Sequence, residues 1–443
     1  MAIGTFNGGI HPPEYKELTE NCAFEVMPAP AEIVLPISQH LGKDAQPVVK
    51  KGDEVTVGQL VAKAEGFISA PIHSSVNGKV LSIGKENTPS GFPKDSIVIK
   101  SNGITASQPN LLPPLNLETI TPDEIRQRVA EAGIVGQGGA AFPTYVKLSP
   151  PKDKKIDVVI LNGCECEPYL TRDYRFMIER PDDLIEGLKL IIKALGVERG
   201  IIGIEDNKPK AIKILSEKVK NHKSIEVISL KTKYPQGAEK MLIKAVTGKE
   251  VPPGKLPMDV GAVIQNIGTA LAIYDAVVKG EVLITAALTV SGKGIKNPKN
   301  LLVPVGTPIQ DVIDYCGGVT EEAVKIVVGG PMMGVAQFDL HAPVLKATSG
   351  ILVLTKEEVS KNPETPCLRC GQCVGACPLN LVPTKLARYS QLHKYEEAED
   401  ADITVCMECG TCAYTCPANI PLVQWIRLGK QKVLQMQKER MKN

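Results

Sequence analysis

Aromatic rings are scarce in this chain: seven phenylalanines, ten tyrosines and one tryptophan, Trp425, among 443 residues. Single-strand nucleic-acid binders set stacking platforms in a basic groove, so that class is disfavoured. Charge of one sign is lacking too. The 51 basic residues face 49 acidic ones for a net +2, which gives no field to gather a polyanion. No apolar run is long: even Glu281 to Val290 falls well short of the ~18 to 20 residues that span a bilayer, so any membrane association is expected to come through partners. The start, MAIGTFNGGIHPPEYKE, has no basic stretch followed by an apolar core; no secretory signal is visible, and the chain is expected to stay in the cytosol. Cysteine, by contrast, is plentiful. Eight of the twelve lie in two tight groups, which in such a chain reads as metal ligation rather than disulfide bonding.

A chain of this length should divide into three or four domains. Residues 1–30 read as an N-terminal extension. Residues 31–105 carry short β-type runs broken by glycine (EIVLPI, VKKGDEVTVGQLVA, VNGKVLSI, SIVIK) and predict a small β-sandwich or barrel. These segments resemble the biotinyl or lipoyl carrier fold, whose modifiable lysine would be Lys79 in Asn77-Gly78-Lys79; a purely structural β domain is the preferred reading, since fold does not fix function. A Pro-rich linker is expected near Pro109 to Pro122. Residues 121–280 alternate: IDVVILN is a buried strand, Pro181 opens a helix with Leu184, Ile185, Leu188, Ile191, Ile192 and Leu195 on one face, and Gly196 ends it. GIIGI, a helix over Lys208 to Lys220, IEVISL and a helix near Gly237 to Val246 complete a mainly parallel α/β sheet, which binds ligands at the carboxyl ends of its strands. Residues 281–345 return to β character with a helix at Pro308 to Tyr315. Residues 355–420 hold the cysteine groups, joined by a helical connector around Thr384 to Ala401, and 421–443 predict a capping helix.

Cys367-x2-Cys370-x2-Cys373-x3-Cys377-Pro378 is repeated as Cys406-x2-Cys409-x2-Cys412-x3-Cys416-Pro417. Three thiolates on one tight loop wrap an iron-sulfur cubane, and the fourth cysteine leaves the loop and ligates the other cluster. The spacing therefore assigns Cys367, Cys370, Cys373 and Cys416 to one [4Fe-4S] cluster, and Cys406, Cys409, Cys412 and Cys377 to a second. Gly371 and Gly410 let backbone amides approach the sulfides, and Pro378 and Pro417 redirect the chain. Two zinc sites are the disfavoured alternative, because zinc ribbons seldom use two identical four-cysteine runs ending in proline. Two adjacent clusters form an electron wire.

A wire needs terminals. Gly136-Gln-Gly138-Gly139-Ala-Ala-Phe142-Pro-Thr-Tyr-Val-Lys147 offers close backbone approach, amide donors and a cation to a phosphate, although it is not the dinucleotide fingerprint after a strand. Asn162-Gly-Cys164-Glu165-Cys166-Glu167-Pro-Tyr follows the buried strand, and the two thiols, too few for a metal, read as packing beside a ligand.

GQGGAAFPTYVK resembles the GRGGAGFPTGLK loop of the NADH-binding, FMN-carrying subunit of respiratory complex I, and NGCECEPY is similar to its NADESEPG loop. Tyr234-Pro-Gln-Gly237-Ala238-Glu239 resembles that family's YxxGEE segment, and Gln265-Asn266-Ile-Gly-Thr269 its NNVET segment. The resemblance implies that Gly136, Gly138, Gly139, Lys147, Asn162, Glu165, Tyr234, Glu239, Asn266 and Thr269 surround FMN, with Phe142, Glu167 and Lys255 toward NADH. Gln137, Cys164, Cys166, Ala238 and Met258 depart from that family's Arg, Asp, Ser, Glu and stacking Phe, which bears on how the nucleotide is gripped. With GGIHPPEYK at the start and the paired clusters at the end, the whole chain most resembles the RnfC family, the C-type component of the Rnf complex, a membrane-bound assembly passing electrons between ferredoxin and NAD while moving sodium ions or protons. This implies a barrel-sandwich domain, a Rossmann-like FMN/NADH domain, a β-grasp of the soluble-ligand-binding type and a dicluster ferredoxin domain. It implies, as partners, integral membrane subunits, a ferredoxin-like iron-sulfur subunit and NAD(H), with no nucleic acid, and a peripheral position on the cytoplasmic side of the membrane. A microcompartment-type cobalamin reductase, or a ferredoxin-like relay without nucleotide activity, are the rival readings; the GGIHPPEYK opening favours Rnf.

Overall fold

The computed structural model describes residues 4–103, 112–359 and 362–441. The expected linker at 109–122 lies partly outside them.

A four-stranded parallel sheet forms the centre. Its order is Ile225–Leu230, Gly200–Glu205, Val158–Gly163, Ala262–Asn266. The strand Val158–Gly163 comes first in sequence yet lies inside the sheet, so the chain winds outward on one side and then returns to add Ala262–Asn266 on the other. In sheets of this kind ligands bind at such a reversal, outside the strands' carboxyl ends. Helix Pro181–Leu195 runs where its periodicity predicts and buries Leu184, Ile185, Leu188 and Ile191. Gly196, at φ 65°, closes it in the left-handed conformation that favours glycine. The helix lies close on helix Ile267–Tyr274, because a Cβ on Gly187 would stand 2.3 Å from the Ala270 carbonyl oxygen. Helices Pro209–Val219 and Glu239–Thr247 complete the layers.

Two β units share one core. An antiparallel sheet of Glu32–Pro36, Lys94–Ser101, Gly78–Glu86 and Glu54–Val55, with a smaller sheet of Gln46–Pro47, Leu60–Lys63 and Ile72–His73, forms the sandwich. Ile33, Leu35, Val61, Ile97 and Ile99 from it pack in the same buried cluster as Leu288, Leu301, Val303, Ile313 and Val353. Lys79 does not ride on a hairpin tip: it is paired in the ladder with Glu54 and Lys100, which removes the geometry a carrier lysine needs. The second unit is a six-stranded mixed sheet ordered Phe24–Val26, Lys299–Pro304, Thr285–Ser291, Gly350–Thr355, Ala323–Val328, Val335–Ala336. Strands before residue 30 and after 345 therefore belong to it, because Gly350–Thr355 fills a place between Thr285–Ser291 and Ala323–Val328.

The cysteine region has its own core of Leu381, Leu386, Ala398, Ile403, Leu422, Ile426 and Val433. The expected connector helix is two helices, Pro383–Gln391 and Tyr395–Asp400, separated at His393 with φ 56°. Helix Leu422–Arg440 caps both, and Gly429 brings it against Ser390.

Candidate functional site

Asn162 and Asn266 are direct register partners at the carboxyl ends of their parallel strands, one on each side of the reversal. Asn266 caps helix Ile267–Tyr274 by accepting from the Gly268 amide at 2.8 Å, while its amide nitrogen donates to Asp173 at 2.7 Å. Asn162 donates to the Gly237 carbonyl at 2.7 Å. The glycine loop lies over this pair. Its base is closed by the Val135–Pro143 bridge and by the Gly136 amide donating to the Phe142 carbonyl at 2.9 Å. Gln137 is buried, and its backbone N–H donates to the Thr269 hydroxyl at 3.0 Å. Gly138 packs against Asn266, with a Cβ there falling 2.7 Å from Nδ2, whereas a Cβ on Gly139 would meet nothing within 4 Å. Residues 138–140 are exposed. Lys147 pairs with Glu239 at 2.7 Å and donates to the Ile264 carbonyl at 3.2 Å. Open glycine backbone, a cation held by a half-exposed carboxylate and two asparagines at a crevice fit a phosphate-bearing flat ligand such as FMN.

The loop after Asn162 faces elsewhere. Glu165 accepts from the Asp173 and Tyr174 amides at 2.7 and 3.1 Å, and burial beside Asp173 pushes its carboxyl up to about 7. Glu167 accepts from the Met332 and Met333 amides, both at 3.0 Å, and burial pushes it likewise to about 7. Tyr234, buried, sits 3.4 Å from Glu167 and donates its hydroxyl to the Cys409 carbonyl at 2.8 Å. Glu165, Glu167 and Tyr234 thus join the α/β unit to its own helix, to the 330–334 turn and to a cysteine loop. Cys166 accepts from the Gly237 amide at 3.3 Å, and Cys164 is buried below. Phe142 is half-buried at the base of the glycine loop, and Lys255 stands on an exposed turn. No hydrogen bond or ion pair among the described residues links Phe142, Glu167 and Lys255.

Sequence reasoning missed Lys16 and the Arg172–Asp173 pair. Lys16 is buried and its ammonium donates to the carbonyls of Glu165, Glu167 and Leu170 at 2.9, 3.1 and 2.7 Å, fixing the loop. Arg172 donates to the Ala287 and Gln137 carbonyls, tying the glycine loop to strand Thr285–Ser291 of the six-stranded sheet. The only available signal was a charged Arg-Asp step directly after an otherwise buried segment.

The cysteines form two groups. Cys367, Cys370, Cys373 and Cys416 line a cavity of about 210 Å³ with Thr384 and Pro417. Cys377, Cys406, Cys409 and Cys412 line a tighter one of about 20 Å³, closed by Leu381, Val423 and Ile426. The loops repeat at the backbone level: Arg369 and Glu408 have φ 56° and 59°, Gly371 and Gly410 77° and 83°, Asn380 and Asn419 56° and 51°. Amides of Arg369 and Glu408 each donate to the preceding cysteine sulfur at 3.4 Å. Burial pushes the Cys406 and Cys412 thiols up to about 11 and about 12, so thiolates there require a metal as counter-charge. All eight are free of disulfides. The donor set fits two iron-sulfur clusters.

These features define an electron-transfer protein that combines a flavin domain with a dicluster domain. Four family models match in order: the RnfC barrel sandwich hybrid domain over residues 4–104, the Nuo51 FMN-binding domain over 129–275, the SLBB domain over 288–336 and the 4Fe-4S dicluster domain over 358–417. The chain is 50% identical over 399 residues to the C-type component of the proton-translocating ferredoxin:NAD(+) oxidoreductase complex of Clostridium ljungdahlii, covering 90% of this chain and 87% of that one. It is 48% identical over 431 residues to the corresponding component of the Na(+)-translocating ferredoxin:NAD(+) oxidoreductase complex of Acetobacterium woodii, covering 97% of each. It belongs to the RnfC family of ion-translocating ferredoxin:NAD oxidoreductase (Rnf) complexes, and is an oxidoreductase component that carries FMN and two [4Fe-4S] clusters. A crystal structure of NAD+-reducing [NiFe]-hydrogenase shares the fold at TM-score 0.52 and 20% identity, over 69% of this chain and 60% of that chain.

Proposed function

We propose that this protein exchanges reducing equivalents between NAD(H) and FMN and relays them singly to partner subunits. FMN supplies the conversion between a two-electron hydride and one-electron carriers, which an iron-sulfur cluster alone lacks. The chain's residues bind and position. Gly136, Gly138, Gly139 and Lys147 would hold the phosphate, with Glu239 releasing the Lys147 ammonium to it. Asn162, Asn266 and Thr269 would frame the ring; Glu165 and Tyr234 would stiffen the loops beside it. Phe142 and Lys255 would face the nicotinamide nucleotide, and Glu167 would act from behind by holding the 330–334 turn. The eight cysteines would hold the clusters in the two sets given above.

The observation that carries this reading is the register pair Asn162–Asn266 at the sheet reversal, beneath a glycine loop with open backbone. NADH added to protein reconstituted with FMN and iron should bleach the flavin band and then the cluster absorbance; a full flavin complement left oxidised would remove the dehydrogenase reading.

The partners would include integral membrane subunits and a ferredoxin-like iron-sulfur subunit, with the chain peripheral on the cytoplasmic side. Among the described residues no helix is long and apolar enough to cross a membrane.

A further inference from the structure

We propose that Tyr234 is a positioning residue for electron entry. Acting through the Cys409 carbonyl, its hydroxyl holds the second cysteine group against the α/β unit, so that electrons leaving the flavin reach that group first. This rests on the flavin reading above.

Tyr234 is 2% exposed and lies in one buried group with Ile10, Ala376 and Cys409, against which Cys166, Met332 and Met407 also pack. Its backbone is held from both directions: the Tyr234 N–H donates to the Ile10 carbonyl and the Ile10 N–H to the Tyr234 carbonyl, each at 2.9 Å. The ring is thereby set, and the hydroxyl at its end donates to the Cys409 carbonyl at 2.8 Å. A second contact closes the same seam. Gly410 lies so near the Met332 carbonyl oxygen that a Cβ would fall 2.9 Å from it, and the Met332 N–H is itself held by Glu167.

The other end of this short segment reaches the sheet reversal. Gly237 follows Tyr234 by three residues, a reach of at most about 11 Å even when fully extended. Turn bonds shorten it, from the Gln236 backbone N–H to the Lys233 carbonyl at 2.8 Å and from the Ala238 N–H to the Pro235 carbonyl at 3.1 Å. The Gly237 carbonyl accepts from Asn162 at 2.7 Å, and its N–H donates to Cys166 Sγ at 3.3 Å. One segment therefore grips a cysteine loop at one end and the asparagine at the strand terminus at the other. The first cysteine group stands differently. Cys367 and Cys370 are exposed, as are all of residues 362–372, whereas Cys409 and Cys412 are buried. The second group thus faces the α/β unit, and the first faces outward, where another protein can collect electrons. The two electrons of one hydride leave the flavin singly, one for each cluster.

Tyr234→Phe keeps the buried ring and removes only the hydroxyl. In the full chain loaded with FMN and iron, NADH should bleach the flavin of this variant within about two-fold of the wild-type rate, while the cluster bleaching that follows should slow about five-fold, the weight of one neutral hydrogen bond. Dithionite, which needs no flavin, should reduce the clusters of both proteins at equal rates, with FMN and iron contents unchanged. In wild-type protein frozen soon after mixing with NADH, the first electron paramagnetic resonance signal should be the one that Cys406→Ala abolishes. Unslowed cluster bleaching in Tyr234→Phe overturns the proposal, as does equal slowing with dithionite, and so does a first signal that Cys367→Ala abolishes. A wild-type flavin that NADH cannot bleach would instead defeat the dehydrogenase reading; light-driven reduction of the bound flavin then reads the same order of signals, so the two failures are told apart.

Discussion

Gly139→Ala places one methyl group in the crevice and nothing else. Its Cβ would meet no atom within 4 Å, and Gly139 is not among the glycines with positive φ. In the protein without flavin the substitution should be neutral or stabilising by about 0.4 to 1 kcal/mol, since it only narrows the unfolded ensemble. With FMN the same methyl occupies the approach a phosphate needs. Overpacking of that kind costs about 1 to 3 kcal/mol, so FMN should bind roughly ten- to a hundred-fold more weakly. Gly138→Ala supplies the contrast: its Cβ would press to 2.7 Å from Asn266 Nδ2 and 3.0 Å from Cβ, displacing the side chain that caps a helix and holds Asp173, and should lower stability with or without flavin by about 1 to 3 kcal/mol. Urea midpoints of the flavin-free proteins and fluorescence titration of FMN measure both quantities. Undiminished FMN affinity in a well-folded Gly139→Ala protein would refute the placement of the ligand above this loop.

Exchange of the fourth ligand between cysteine runs makes a pairing prediction: Cys416→Ala should leave the same electron paramagnetic resonance signal as Cys367→Ala, and Cys377→Ala the same as Cys406→Ala, each retaining roughly four irons; matching within a run instead would disprove the exchange. The carboxyls of Glu165 and Glu167 are raised from 4.5 to about 7 by burial, so the folded state binds protons the unfolded state has released. Their contribution to stability is full below about pH 4.5 and lost as pH rises to about 7. Urea midpoints should therefore decline across that interval, and the double variant Glu165→Gln, Glu167→Gln should flatten the decline; an unchanged slope counts against burial of these groups.

Local signals read well from the sequence wherever both ends of an element were marked. Helix Pro181–Leu195 has proline, an apolar face and glycine in order, and the strand Val158–Gly163 departs from its apolar run by two residues at the start. The break at His393 was invisible because neither glycine nor proline marks it; a left-handed histidine ends the helix under the packing of Leu422–Arg440. The six-stranded sheet was hidden for another reason. Pairing of Phe24–Val26 with Asn300–Leu302 depends on the register of distant segments, which no local periodicity encodes. Within the candidate site, Asn162, Asn266 and the glycine loop carry recognisable motifs, and the fold brings them side by side. Lys16 carries none: a lysine in a polar stretch reads as solvated, and only the fold reveals three carbonyls converging on it. Glu167, which the resemblance puts toward the nucleotide, has its carboxylate on the Met332 and Met333 amides, a contact that exists only once the 330–334 turn has docked.

The segment around Gly8 to Ile10 bears on how the chain is made. The Gly9 amide donates to the Ala376 carbonyl at 2.9 Å, Ile10 pairs with Tyr234, and Gly8 lies against Cys377 so closely that a Cβ would fall 2.8 Å from its carbonyl oxygen. During synthesis, at about 5 to 20 residues per second, this early stretch waits tens of seconds for the residues that complete its bonding. The seam against the iron-binding region can close only after that region has been made, so residues 8–10 cannot be held there in an unfinished chain.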